Sequence, residues 1–340
     1  MVRWIFLWLS IFGIAAGPAS AQKIDAWSEA VVSVRDLEDA SRLFIDYGEW
    51  KIISEAAMDD SELSYWKLPE EATGRYRLIC APEAETGCIR FIALKNAGVQ
   101  KPIRPAARPW DTGGIFSLMI RSDDVDALFD KALAMGWWAE SEPYRFSFGA
   151  SDLNNVVMRG PHGINIAVYE RIKPAFTAFP IGKMSQTFNA MRMVRDQKAS
   201  LKFYREKLGL GLLFDADYLD PEPTMSNFSV PINLSTSIPR RAAVVHHGPG
   251  ETGRMELMQF VGFEGRDFAK RASLPSLGII SVRYPVTGLA DYREQLIKRR
   301  VPIAYEADMV AVDKIGMLNL FAVRDPDGNL TEFYEKPSEM

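Results

Sequence analysis

Apolar and polar positions alternate most cleanly near the end of the chain, in Leu330-Thr331-Glu332-Phe333-Tyr334-Glu335. A period of two predicts a strand with Leu330, Glu332 and Tyr334 on one face and Thr331, Phe333 and Glu335 on the other. Asp325-Pro326-Asp327-Gly328, just before it, is turn chemistry: proline presets one corner and glycine accepts the positive φ of the next. The same stretch occurs earlier as Arg159-Gly160-Pro161-His162-Gly163 leading into Ile164–Glu170. Its Arg, Pro, Gly, Tyr and Glu all recur 165 residues later. A repeat of that length is a duplicated domain, too long for a solenoid unit.

Helical spacing marks four helices. Leu37, Ala40, Leu43 and Phe44 share a face ahead of Gly48. Val125–Met135 stops at Gly136, Gln197–Leu208 stops at Gly209, and Leu289–Arg300 completes the set. A β-rich stretch precedes each: Glu29–Asp36, Gly114–Arg121, Phe188–Asp196 and Gly278–Val282. Strand-like runs follow each helix. In the first unit they are Trp50–Ser54, Ser64–Leu68, Arg75–Cys80 and Cys88–Leu94. In the second they are Arg145–Phe148 and Asn155–Arg159, and in the third Ala242–His247 and Arg254–Phe260. The chain reads as four βαβββ-like modules in two pairs, an α+β protein. Lys101–Pro109, with three prolines, is an extended connector, and Pro174–Lys183 reads as the boundary between halves. The expected division is a leader over 1–21, a domain over 22–172, a linker over 173–184 and a second domain over 185–340.

Length and composition agree with this reading. A chain of 340 residues, 47% hydrophobic and 25% charged, has ample material for two globular cores. A net charge of −4 gives no reason to expect nucleic acid or an anionic membrane as partner. The first residues change the picture. Arg3, the apolar run Trp4–Ala16 and Ala19-Ser20-Ala21 have the layout of an export signal, and the run is short for a membrane span. The mature chain is expected to begin at Gln22 in a bacterial periplasm, with no stable membrane association. Cys80 and Cys88 flank Ala81–Gly87, a predicted hairpin loop. In an oxidising compartment they are a candidate disulfide, the alternative being two free buried thiols.

Two motifs carry a more specific resemblance. One is Val194-Arg195-Asp196 with Ala199-Ser200, Phe203-Tyr204 and Leu208-Gly209-Leu210; the other is Asp325-Pro326-Asp327-Gly328-Asn329 with Glu332. Together with the modular order they make everything after Ala21 resemble the vicinal oxygen chelate superfamily, which includes glyoxalase I, fosfomycin-resistance proteins, bleomycin-resistance proteins and extradiol dioxygenases. The resemblance implies two domains, each a cupped mixed sheet made by two modules, with helices outside. It also implies a divalent metal held by His or Gln on first strands and Glu or His on last strands. Carried over to the second half, the last-strand positions are Glu256 and Glu332. The first-strand positions are Asn189 or Ala190, and Ser281 or a close neighbour. In the first half they are Glu29, Arg90, Ser117 and Ala167, a set with too few ligands for a metal.

Register leaves Asn189 and Ala190 open. Counting back from Asp196 selects Asn189, whereas turning Ala190 and Arg192 into the cup lets Met191 and Met193 pack beneath the helix. The resulting expectation is an exported, glyoxalase-like lyase or isomerase. Glu256 and Glu332 would share one cation with help from Asn189, and the ion would polarise oxygens of a small substrate. Oxygen ligands favour Mg²⁺, Mn²⁺ or Ca²⁺ over Zn²⁺. Arg192 is a candidate for substrate binding. His246 and His247 are candidate bases, of which only one can face a cup, and Tyr334 is a candidate for orienting a substrate oxygen. The alternative is a metal-free small-ligand-binding protein of the bleomycin-resistance type, with Arg192 pairing with the two carboxylates or with an anionic ligand. A monomer and a homodimer are both compatible with this sequence.

Overall fold

The computed structural model describes residues 23–106, 108–148 and 150–337, so the export signal expected over Met1–Ala21 lies outside the described residues. The first module holds β1 (Lys23–Ile24), β2 (Glu29–Val34), α1 (Leu37–Asp46), β3 (Lys51–Ala57), α2 (Asp60–Tyr65), β4 (Thr73–Cys80) and β5 (Cys88–Lys95). The second holds β6 (Ser117–Arg121), α3 (Val125–Ala134), β7 (Trp138–Ala139), β8 (Tyr144–Phe148), β9 (Ser151–Arg159) and β10 (Asn165–Lys173). The third holds β11 (Asn189–Met193), α4 (Gln197–Lys202), a π turn over Phe203–Lys207, β12 (Gly211–Tyr218), β13 (Arg240–His246) and β14 (Arg254–Phe260). The fourth holds β15 (Gly278–Thr287), α5 (Leu289–Lys298), β16 (Ile303–Val312), β17 (Gly316–Arg324) and β18 (Leu330–Glu335).

Ser64–Leu68, expected as a strand, is instead the end of α2 and the turn after it. Asp59 caps that helix by accepting from the Ser61 N–H at 2.9 Å, and Glu62, Leu63 and Tyr65 are its buried residues. A carboxylate cap followed by Glu62 is a helix-start signal that outweighs the short β-rich run behind it.

The sheets correct the expected pairing. One sheet runs β16-β17-β18-β15-β2-β5-β4-β3, with β1 added against β15; the other runs β12-β13-β14-β11-β6-β10-β9-β7, with β8 against β9. The first module therefore pairs with the fourth and the second with the third. Each seam joins two first strands in antiparallel fashion, Arg283 opposite Glu29 in one and Asn189 opposite Met119 in the other. The halves 22–172 and 185–340 are thus not separate sheets. The physical cause lies in the connectors. Residues 174–188 lead straight from β10 into β11 beside β6. The two longer connectors cross between sheets together, bridged at Pro102 with Leu277 and at Thr112 with Asp267. Their approach is close: a Cβ at Gly113, whose φ is +86°, would lie 2.3 Å from the Ala269 nitrogen, so only glycine fits there.

Helices α1, α3, α4 and α5 lie on the convex sides of the sheets, and one apolar cluster joins these sides across all four modules, including Trp27, Phe44, Trp137, Tyr204, Tyr292 and Phe333; α2 instead packs in the concave face of its sheet. The repeated glutamates of the opening pattern help to set the helices. Glu335 accepts from the Gly288 and Leu289 N–H groups at the start of α5 (2.8 and 3.0 Å), and Glu170 accepts from Val125 at the start of α3 (3.3 Å). The two motifs behind the family resemblance touch each other. Asp327 accepts from the Arg195 backbone and from Ser200 (3.2 Å each), and Asp325 accepts from the Tyr204 hydroxyl at 2.7 Å. Cys80 and Cys88 are joined by a disulfide between β4 and β5.

Candidate functional site

The two concave faces have opposite characters. In the sheet of the second and third modules, alternation turns Met119 and Arg121 of β6, Tyr169 and Arg171 of β10, Asn189 and Met191 of β11, and Arg254, Glu256 and Met258 of β14 inward. They line an open cavity of about 860 Å³, within the usual range for small-molecule sites. Phe188, Phe214, Tyr218 and Phe228 add aromatic walls, and Tyr144 and Phe146 of β8 close one side. Leu219–Thr224, after β12, forms part of the rim.

Glu256 is the acid of this cavity wall that lies deepest, and Asp220 and Glu222 belong to the rim. Burial pushes the Glu256 carboxyl up to about 7, and among the described residues no cation is a cause that pulls it back. Its charge in turn helps to raise the hydroxyls of Tyr169 and Tyr218, although burial is the larger cause for both. Asn227 and Asn155 bond across the cavity wall, and Asn155 also donates to the Val168 carbonyl at 2.7 Å.

The sheet of the first and fourth modules has its concave face filled by charge. Arg283 donates to Glu29 at 2.9 Å, to Glu62 at 2.8 Å and to both oxygens of Glu332 at 3.2 Å. Arg90 donates to Glu29 at 2.8 Å and lies over the Tyr76 ring at 4.5 Å, and Ser281 hydrogen-bonds Glu332. All of these side chains except Tyr76 belong to the buried polar set. Burial alone would raise Glu29, but Arg90 and Arg283 together hold it below the ordinary carboxylate range. Glu332 stays raised because burial outweighs the pull of Arg283. Burial opposes the charge on Arg283, yet its three carboxylate partners hold the guanidinium well above its ordinary value.

The residues singled out from the sequence are distributed accordingly. Glu256 and Asn189 line one cavity, which settles the register in favour of Asn189. Glu332 lies in the other sheet, so the two carboxylates cannot share a cation. Arg192 faces away from the cavity, buried against Thr331 (3.1 Å), the Leu330 carbonyl (3.3 Å) and the Tyr204 ring (5.3 Å). It bridges neither glutamate, and substrate binding is not open to it; the cation on Glu332 is Arg283. His246 bonds the Gly248 carbonyl through Nδ1 (2.7 Å) and packs on Gly211. His247 sits between the carbonyls of Ile24 (3.2 Å) and Thr252 (3.3 Å). Neither histidine lines the cavity. Tyr334 is buried in the charge-filled cup, near Ser28 and Glu29.

A divalent metal of the kind the resemblance implies does not fit either face. At the four corresponding positions the open cup offers one carboxylate, Glu256, with Asn189, Ser117 and Ala167. The filled cup has its carboxylates committed to two arginines. Among the described residues no group of three or more His, Cys, Asp or Glu side chains converges as a metal site. Sequence reasoning missed Arg121, Tyr169, Arg171 and Tyr218 as cavity residues. Tyr169 was accessible, since it is the repeat partner of Tyr334. Arg283 could have been found by alternation from Ser281, whereas Glu62 could not, because it arrives on an unexpected helix.

The profile of the Glyoxalase/Bleomycin resistance protein/Dioxygenase superfamily matches residues 188–333, the third and fourth modules. No curated protein sequence matches the chain significantly. Among solved structures, glyoxalase I from Zea mays is similar over 92% of this chain and 93% of its own, with 16% identity and a TM-score of 0.61. A putative dioxygenase from Bacillus subtilis is similar over 93% of this chain and 87% of its own, with 9% identity and a TM-score of 0.58. At such identities the likeness is one of fold. Among the described residues no helix is long and apolar enough to cross a membrane. Residues 188–333 thus match the superfamily profile, and nearly the whole chain shares the fold of these glyoxalase I and dioxygenase structures.

Proposed function

We propose that this protein binds a small organic molecule in the cavity of the second and third modules, without a metal held by the cup. The observation that carries the reading is the contrast between the faces: one is a cavity of about 860 Å³ with Glu256 as its deepest acid, the other a core sealed by Arg283. The metal-dependent lyase or isomerase reading loses its support with the separation of Glu256 from Glu332. A metal-free acid–base enzyme is the second reading, favoured by the Glu256 carboxyl at about 7, where it can exchange a proton at neutral pH. The layout of Met1–Ala21 and the Cys80–Cys88 disulfide both support an exported protein.

N-phenyl-1-naphthylamine, a neutral aromatic fluorophore, is a direct probe. It should bind saturably at one site per chain. Ala242→Trp, which fills the cavity from β13, should remove that binding while the circular dichroism spectrum stays native. Binding indifferent to that substitution, or no saturable binding, would overturn the cavity reading. Calorimetric titration of the wild type with Mn²⁺ and Mg²⁺ should show no site. A single site lost in Glu256→Gln would overturn the metal-free reading.

A further inference from the structure

One end of the cavity carries more positive charge than its own acids balance. Arg121 and Arg254 both donate to the same oxygen of Glu251, each at 3.0 Å, so one carboxylate serves two guanidinium groups. Arg171 lies two residues along β10 from Tyr169, which is paired with Arg121, and among the described residues it contacts no carboxylate. The Nε atoms of Arg121, Arg171 and Arg254 are all buried without a hydrogen-bond partner. The Arg121 side chain is only 5% exposed and stacks between Phe176 (4.2 Å) and Phe188 (4.4 Å). Burial pushes its guanidinium down to about 10; Glu251 opposes this, and Arg171 nearby adds to the push. Two guanidinium groups sharing one carboxylate, with a third close to Arg121, are an arrangement that an entering anion relieves. The rest of the wall is aromatic and thioether, from Phe188, Tyr169 and Met119 to Phe228.

We infer that the ligand class of this cavity is the aromatic anion: a planar apolar body against the rings, with a carboxylate or sulfonate at Arg121, Arg171 and Arg254. The inference rests on the reading that the cavity takes small molecules, and goes further by assigning charge and shape. Burial is the cause of the raised Glu256 carboxyl, with none of the three arginines among its causes, so Glu256 is not the counter-charge of the cluster.

The test is displacement of N-phenyl-1-naphthylamine by three probes of one shape: 2-naphthoate, neutral 2-naphthamide and cationic 2-naphthylmethylammonium. At low salt 2-naphthoate should displace at concentrations on the order of tenfold lower than 2-naphthamide, with the cation weakest. Arg171→Gln, at a half-buried position chosen to preserve folding, should shrink the naphthoate preference to about threefold or less, with the loss falling mainly on naphthoate rather than on 2-naphthamide. Equal displacement by the anion and the amide, or preference for the cation, would overturn the inference and leave the small-molecule reading standing. A preference for naphthoate that Arg171→Gln does not reduce would overturn the assignment to these arginines. If the fluorophore itself does not bind, the failure belongs to the cavity reading, and this inference falls with it.

Discussion

Replacing Arg283 with methionine tests the claim that the filled cup is held by one cation. The substitution keeps much of the stem volume and removes the group that reaches Glu29, Glu62 and Glu332 together. Arg90 still holds Glu29, and Ser281 still contacts Glu332, so Glu62 is stripped and Glu332 half-stripped. Leaving a buried charge unpaired costs roughly 3–5 kcal/mol, which puts the expected loss at about 4 kcal/mol near neutral pH. In a chain of 340 residues that corresponds to a fall in melting temperature of about 6 °C. Urea unfolding followed by fluorescence of the buried Trp27 and Trp66 reads the loss directly. Burial already raises Glu332 in the wild type, and the loss of Arg283 raises it further. A carboxyl raised in the folded state contributes stability below its unfolded pKa and loses it as pH rises through the folded value. The deficit should therefore be larger at about pH 8 than at about pH 5. Adding Glu62→Gln and Glu332→Gln to the variant should recover at least half of the loss, since the stranded charge is the cause. A deficit below about 1 kcal/mol, one equal at both pH values, or no recovery in the triple variant would refute the reasoning.

Glu256→Gln should leave stability near pH 4 almost unchanged and raise it by about 3 kcal/mol at pH 8, because the wild type loses stability as pH rises from the ordinary carboxylate range to the folded-state value of about 7; melting curves at the two pH values check the sign. The paired change Cys80→Ala and Cys88→Ala should cost about 2 kcal/mol, as expected for releasing a loop whose ends are eight residues apart, and thiol counting on denatured, unreduced wild type should find few free thiols.

Local structure was largely legible. Turn chemistry and alternation located β18 and its copy β10; helical spacing with glycine stops located α1, α3 and α4, and spacing alone located α5. The repeat itself announced the modular order, and the faces of β18 followed directly, with Glu332 and Tyr334 on one and Thr331 and Phe333 on the other. What failed locally was α2, where Asp59 and Glu62 form a helix start that a short run of β-formers conceals.

Module pairing was not legible, because adjacency in sequence says nothing about which first strands meet at a seam. That is decided by how two connectors cross together and by the core that all four modules share. The consequence for the site was large. Glu256 and Glu332 occupy equivalent positions; alternation left the face of Glu332 open between solvent and a cavity, and the family resemblance implied that both are inward-facing carboxylates on last strands. Only the tertiary structure decided that they face different cups. One meets Arg283 and becomes part of a core; the other meets open space, and burial without a cation leaves its carboxyl near 7. Period-two alternation fixes the face a side chain takes on its own strand, but its electrostatic partner comes from another strand, brought close by packing.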